Sequence, residues 1–127
     1  MARISADLKY TAEHEWVDDS VSPVRVGVTS VATESLGDVV YVDPPDVGSS
    51  LTAGDVCGEI ESTKSVSELF APVTGTVVEV NQAAVDDPAL INSDPYGDGW
   101  LFTVDVTGPS TLMTAEDYAR ANDAELA

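Results

Sequence analysis

Short runs of alternating hydrophobic and polar residues recur along the chain and predict a mainly β protein. In residues 24–29, three valines alternate with Arg25 and Gly27. Alternation with a period of two, rich in β-branched residues, is typical of strands with one buried face. Similar patterns predict strands at 15–18, 38–43, 56–61, 76–80 and 100–106. The strand at 38–43 is so apolar that we expect it to be buried on both sides, or nearly so.

The predicted helices are few and short. Thr29 or Ser30 can cap a helix over residues 31–36 that Gly37 ends. A helical turn is predicted at 86–90, with Asp87 as the cap and Pro88 at the first position. Thr114, followed three residues later by Asp117, predicts a C-terminal helix that Leu112, Met113 and Tyr118 dock on the sheet.

The length of 127 residues is that of one domain. We expect a loose N-terminus at 1–7, a β core at 8–107 with a lysine hairpin at 56–80, and a C-terminal helix at 114–123. Several short strands with two or three small helices predict a compact sandwich or barrel.

Lys64 lies between two predicted strand runs, one at 56–61 and one that includes Val73 and 76–80. Residues 62–65 therefore lie where a hairpin would reverse, although they lack an Asn-Gly turn signal. The chain has only one other lysine, Lys9, and small hydroxyl residues and carboxylates surround Lys64. A lysine at a turn is also ordinary for a protein surface, so its spacing alone does not assign a role.

The net charge of the chain limits the classes of molecule that it can bind. The chain has 23 acidic and 5 basic residues, for a net charge of −18. Nucleic acid and anionic membranes would be repelled, whereas partners with basic faces would be attracted. Adaptation to salt would give the same composition. No apolar run has the roughly 18 residues of a membrane span, and neither a signal peptide nor an Arg-rich presequence is evident. We expect a cytoplasmic protein.

No catalytic set is evident in the sequence. The single cysteine, Cys57, excludes an internal disulfide, and with the single histidine, His14, it cannot form a zinc site alone. The serines lack a nearby base, and Gly97 and Gly99 lie in a turn rather than in a phosphate loop. We expect no free-standing enzyme.

Three ordered motifs carry a family resemblance. Residues 61–65 (ESTKS), followed by 69–75 (LFAPVTG), resemble the lipoyl-attachment hairpin of glycine cleavage system H proteins. Residues 10–17 (YTAEHEWV) and 92–100 (NSDPYGDGW) resemble the same family, and the similarity extends over residues 8–118. The resemblance implies a barrel-sandwich hybrid, similar to lipoyl and biotinyl domains, with added terminal segments.

The resemblance also implies a function. Lipoic acid in amide linkage to Lys64 would form an arm reaching roughly 15 Å from Cα. In the family, this arm accepts an aminomethyl group from the pyridoxal-phosphate glycine decarboxylase (P protein). The arm delivers the group to the tetrahydrofolate-dependent aminomethyltransferase (T protein) and is reoxidised by dihydrolipoyl dehydrogenase (L protein). Lipoylating enzymes are further implied partners, and we expect a monomeric, non-catalytic carrier.

A water-excluding cleft would protect the carried aminomethyl group from hydrolysis. By resemblance, Glu13, His14 and Glu15 lie beside that cleft. Glu15 is expected to pair with the ammonium group, and Glu68 is expected near the entrance. Glu13 and Glu68 could equally be solvated surface charges, and His14 could serve only to fix a turn.

Three other functions stay open. A biotin carrier also presents a lysine on a hairpin, but methionines typically flank that lysine, in place of Thr63 and Ser65. The lipoyl domain of a 2-oxo-acid dehydrogenase would lack the segment at 92–100. An H-like protein could instead act as a lipoyl relay or an interaction module without glycine cleavage activity.

Overall fold

The computed structural model describes residues 3–108, 110 and 112–126. Its elements, in chain order, are β1 (Arg3–Ile4), β2 (Lys9–Tyr10), β3 (Glu15–Asp18), β4 (Val24–Val28), α1 (Ser30–Leu36), β5 (Val39–Asp43), β6 (Ser50–Leu51), β7 (Val56–Ser62), β8 (Val66–Phe70), β9 (Gly75–Val80), α2 (Gln82–Asp86), α3 (Ala89–Ser93), β10 (Phe102–Val106), α4 (Ala115–Asn122) and β11 (Glu125–Leu126). Among the helices in this part of the chain, none has the length and hydropathy that crossing a membrane requires.

Two sheets build the body of the molecule. The larger has six strands in the order β2-β3-β4-β10-β9-β6, and the smaller has three in the order β5-β7-β8. Valine, leucine and isoleucine side chains from both sheets form one buried cluster, and burial of this apolar surface stabilises the fold. The predicted class, a mainly β barrel-sandwich hybrid with short helices and a C-terminal helix, is confirmed.

A second apolar cluster joins the C-terminal helix to the first strands. Tyr10 and Trp16 pack there with Tyr118 of α4, and each of the three is almost fully buried. The N-terminal strand β1 pairs in parallel with β11, which follows α4. The two ends of the described chain therefore meet on one side of the large sheet.

Two of the three helix caps that the sequence predicts are present. The Thr29 hydroxyl accepts a hydrogen bond from Ala32 N at the start of α1, and the Thr114 hydroxyl accepts one from Asp117 N at the start of α4. These bonds satisfy backbone donors that the first helical turn leaves free. Gly37 ends α1 with a φ of +80°, a value that favours glycine.

Four local predictions are wrong, and the first two concern the N-terminus and strand β5. Residues 3–4 are not loose, because they form β1 and the Ile4 side chain is only 1% exposed; Met1 and Ala2 lie outside the described residues. Strand β5 is not buried on both sides, since Val40 is 53% and Tyr41 48% exposed. A β-bulge between Val39 and Tyr41 breaks the alternation there, so consecutive residues face solvent.

The partner of β7 also differs from the prediction. β7 pairs with β8, which starts directly after the turn, whereas Gly75–Val80 pairs with β10 and β6 in the other sheet. The sequence does not predict β8 because its first three residues are all exposed, so the strand lacks the alternation of buried and exposed positions.

The helical turn predicted at 86–90 is replaced by two helices. α2 starts after Asn81, whose side-chain amide donates to Asp98 O and Trp100 O rather than capping the helix. α3 follows with Pro88, not Asp87, at its N-cap. Neither helix has a side-chain cap, and the predicted signal at Asp87 and Pro88 lies one residue before the observed start of α3.

Candidate functional site

The turn between β7 and β8 presents Lys64. Ser62 N donates to Ser65 O at 2.8 Å and closes the turn. The Ser62 hydroxyl accepts from Lys64 N at 3.2 Å and from Ser65 N at 3.1 Å. A serine side chain that binds the following backbone amides stabilises a tight turn. These hydrogen bonds stabilise the turn in the absence of an Asn-Gly sequence, and they explain why the chain reverses at these residues.

The Lys64 side chain is exposed at the tip of the hairpin. Its Nζ has no ion pair within 4.0 Å and no hydrogen bond among residues 3–108, 110 and 112–126. Thr63 N donates to Asp38 O at 3.0 Å and ties the tip to the residues that precede β5. The amine is therefore free for chemistry while its backbone is anchored.

Glu15 is a buried carboxyl group at the other end of the hairpin. Its side chain is 3% exposed, and its Oε1 accepts a hydrogen bond from Thr11 Oγ1 at 2.8 Å. The backbone N–H of Phe70, the last residue of β8, lies near this carboxyl group and favours its ionised form. Burial raises the pKa of Glu15 to about 8, although the Thr11 hydroxyl and the nearby Phe70 N–H act in the opposite direction.

His14 holds its loop to the C-terminal helix. Its backbone has a φ of +74°, and a hydrogen bond of 2.6 Å joins its Nδ1 to the Tyr118 hydroxyl. A second bond of 2.8 Å joins the same hydroxyl to Thr29 Oγ1, and Thr29 N donates to His14 O at 3.0 Å. Burial lowers the pKa of His14, so its imidazole is neutral at pH 7.

The Tyr118 hydroxyl can be tested against that of its stacked neighbour, Tyr10. Tyr118→Phe is expected to lower the free energy of unfolding by about 2 kcal/mol, because His14 and the buried Thr29 both lose a partner. Tyr10→Phe loses only a bond to the half-buried Ser5 O and is expected to cost less than about 1 kcal/mol. Urea denaturation measures both, and equal losses would contradict the shared role of the Tyr118 hydroxyl.

The other two predicted site residues are exposed. Glu13 lines an open depression of about 520 Å³ at the base of the hairpin. Thr11, Ala12, Ala53, Gly54, Ala71, Pro72, Ser110 and Met113 complete its lining. Glu68 lies on β8 opposite Glu59, two residues before Phe70, whose backbone N–H lies near Glu15. The structure thus groups Glu13 and Glu15 at one end of the hairpin, with Lys64 at the other end and Glu68 between them.

Cys57 lies half-buried on β7. Burial, together with the charge of Glu15, raises the pKa of the Cys57 thiol to about 12. Within residues 3–108, 110 and 112–126, no three His, Cys, Asp or Glu side chains are grouped so that they could hold a metal ion.

Sequence reasoning missed several residues that shape this site. Thr11 binds Glu15, Tyr118 binds His14, and Asn92 binds the backbone on both sides of Asp38. Tyr118 is 104 residues from His14, and Asn92 is 53 residues from Val39, so no local pattern links them. Thr11 lies four residues before Glu15 in a loop, where spacing carries no periodic signal.

Comparisons with known proteins agree on one family. The family model described as glycine cleavage H-protein matches residues 8–125. The glycine cleavage system H protein of Thermobifida fusca is 58% identical over 123 residues, which cover 96% of this chain and 98% of that protein. The one from Corynebacterium aurimucosum is 54% identical with the same coverage.

A solved structure agrees in fold. The crystal structure of a glycine cleavage system H protein from Mycobacterium marinum superposes with a TM-score of 0.89 at 54% identity, covering 94% of this chain and 99% of that one. Sequence and structure therefore lead to one conclusion: the chain belongs to the glycine cleavage H-protein family.

Proposed function

We propose that this chain is the lipoyl carrier of a glycine cleavage system and that its lipoyl group is attached to Lys64 Nζ. When bound, the group supplies a dithiol–disulfide pair on a flexible arm that carries an aminomethyl group. The observation that supports the proposal best is the exposed Lys64 amine on a hydrogen-bonded turn, in a chain of this family.

The environment of Lys64 fits acylation better than that of the other lysine. Nothing described in the structure pairs with the Lys64 amine, whereas Lys9 Nζ lies 3.7 Å from Asp19. Lys9 also lies on a two-residue strand packed beside β3, not at a projecting turn. An acylating enzyme needs a free amine on a protruding, ordered segment, and Lys64 provides both.

The proposed partners are the P, T and L proteins and a lipoylating enzyme. The net charge of −18 favours encounter with basic surfaces around their active-site entrances. A tethered arm raises the effective concentration of its cargo at each active site in turn. The carrier needs no catalytic residue for this role, and we propose that it acts as a monomer and that residues 1–127 form one carrier domain.

Glu15 is proposed to hold the ammonium of the carried group. With its pKa raised to about 8, its carboxyl group is mostly protonated at pH 7 in the empty carrier. An ammonium group nearby favours the ionised form, so Glu15 would lose its proton as the cargo arrives. The buried site thus stays neutral when empty and gains a negative charge only with the cation present.

The remaining predicted residues take different proposed roles. Glu13 lines the depression at the base of the hairpin, where it can exclude or order water near Glu15. Glu68 faces solvent along β8, between Lys64 and that depression. His14 acts through Tyr118 as the anchor of the Glu15 loop rather than as a contact to the cargo.

Reconstitution tests the proposal. The chain, loaded by a lipoate ligase, is mixed with purified P, T and L proteins, glycine, tetrahydrofolate and NAD⁺, and release of ¹⁴CO₂ from labelled glycine is measured. Release that requires the loaded chain supports the carrier function. A chain that accepts lipoate but supports no release would instead be the lipoyl relay.

A further inference from the structure

A short backbone segment, residues 37–39 between α1 and β5, supports the tip of the lysine hairpin. Asp38 O accepts a hydrogen bond from Thr63 N at 3.0 Å, and Val39 pairs with Ser62 at the end of the β5–β7 ladder. A Cβ atom on Gly37 would lie 2.8 Å from Lys64 Cε, so the lysine stem lies across this glycine. The segment is thus in contact with both the backbone and the side chain of the tip.

One side chain clamps this segment from the opposite direction. Asn92, half-buried on α3, donates from Nδ2 to Gly37 O at 2.9 Å and accepts at Oδ1 from Val39 N at 2.8 Å. The carboxamide therefore binds the backbone carbonyl before Asp38 and the backbone N–H after it, as a neighbouring β-strand would. These two hydrogen bonds together fix the position of the Asp38 carbonyl.

The hairpin tip has little other support. Residues 63–68 are exposed, and beyond the turn's own bonds the bond from Thr63 N to Asp38 O ties the tip to the body. If the Asp38 carbonyl moves, this bond is lost and the tip can swing about the end of β7. The orientation of Lys64 therefore depends on a residue that does not touch it.

We propose that Asn92 is a positioning residue for the lysine turn: through residues 37–39 it sets the direction in which Lys64 leaves the body. The part of this inference that concerns modification rests on the proposed attachment at Lys64. The part that concerns the turn rests on the hydrogen bonds alone.

Amide hydrogen exchange of the unmodified protein, followed by NMR, tests the turn directly. In Asn92→Ala, exchange at Thr63 N–H is expected to accelerate about tenfold, because the clamp on its acceptor is gone. The control is Asn81→Ala, which likewise removes two hydrogen bonds between a side-chain amide and backbone, here to Asp98 O and Trp100 O, away from the hairpin. Thr63 exchange in that variant is expected within about twofold of the native rate.

The rate of lipoylation supplies a second readout. A lipoate ligase is expected to modify Asn92→Ala with kcat/KM lowered about tenfold, as a disordered tip must be ordered on binding. Asn81→Ala is expected to be modified at the native rate. If Asn92→Ala does not fold, Asn92→Asp keeps the acceptor for Val39 N but sets an oxygen against Gly37 O, and the same changes are expected.

Unchanged Thr63 exchange in a folded Asn92 variant, or equal acceleration in the Asn81 variant, would overturn the proposal. Because the exchange experiment uses no lipoyl group, its result stands even if Lys64 proves not to be the attachment site. Native-rate lipoylation together with faster Thr63 exchange would likewise overturn the link between the turn and modification.

Discussion

Replacing Lys64 by arginine is expected to abolish lipoylation and, with it, all support for glycine decarboxylation. Amide formation needs an amine that can lose its proton, and a guanidinium does not. The change keeps the positive charge, and the side chain is exposed, so stability is expected to be within about 0.5 kcal/mol of native. Intact-mass spectrometry after incubation with lipoate and a ligase is expected to show one added lipoyl mass on the native chain and none on the variant.

Lys9→Arg is the matched control because it alters the only other lysine. It is expected to gain one lipoyl mass and to support decarboxylation at the native rate. If Lys64 stays unmodified while the same ligase modifies a known carrier, the lipoyl proposal fails. An interaction role without a lipoyl group then becomes the better hypothesis.

Replacing Glu15 by glutamine is expected to remove most of the dependence of stability on pH between 6.5 and 8. The pKa of Glu15 rises from 4.5 to about 8 on folding, so the folded state keeps a proton that the unfolded state has lost. The stabilisation that the Glu15 proton contributes is therefore full below pH 4.5 and is lost as pH rises toward 8. Between pH 6.5 and 8 the native protein is expected to lose about 2 kcal/mol, and Glu15→Gln almost none.

The direction of the change in stability with pH distinguishes the effect of Glu15 from that of His14. The pKa of His14 is lowered from 6.5, so its effect is a loss of stability as pH falls below 6.5. Urea denaturation at half-unit steps of pH measures the slope. Glu13→Gln, on the same loop but exposed, is the control and is expected to keep the native slope. A native slope in Glu15→Gln would show that Glu15 is not the group that titrates.

The same variant tests the proposed cargo site. Glutamine can accept a hydrogen bond but cannot supply the negative charge that pairs with an ammonium. Release of the carried aminomethyl group to water, followed as formaldehyde, is expected to be about tenfold to a hundredfold faster in Glu15→Gln. Glu13→Gln and Glu68→Gln are expected to stay within about threefold of native, and release at the native rate from Glu15→Gln would refute the pairing.

Local chemistry made much of this structure predictable. The Thr29 and Thr114 caps and the alternating valines of β4 act within a few residues, and the sequence shows them. The projecting position of Lys64 followed from its place between two predicted strand runs. The exposure of Tyr41 did not, because the bulge that turns it outward depends on pairing with β7.

What the sequence could not provide are contacts between distant segments. The Nδ1 atom of His14 binds Tyr118, the raised pKa of Glu15 comes from burial, and Asn92 binds the segment that contacts the hairpin tip. Each of these needs two segments brought together by the whole fold. The family resemblance proposed Glu15 as the ammonium partner, and the structure adds that its carboxyl group is buried and desolvated.

The environment of Cys57 has a consequence for redox chemistry on this surface. With a pKa of about 12, the thiol is ionised in roughly one molecule in 100,000 at pH 7. Thiol–disulfide exchange proceeds through the thiolate, so this cysteine is a poor partner for the disulfide of the proposed lipoyl arm. A thiol reagent at neutral pH would therefore report the oxidation state of the proposed arm rather than that of Cys57.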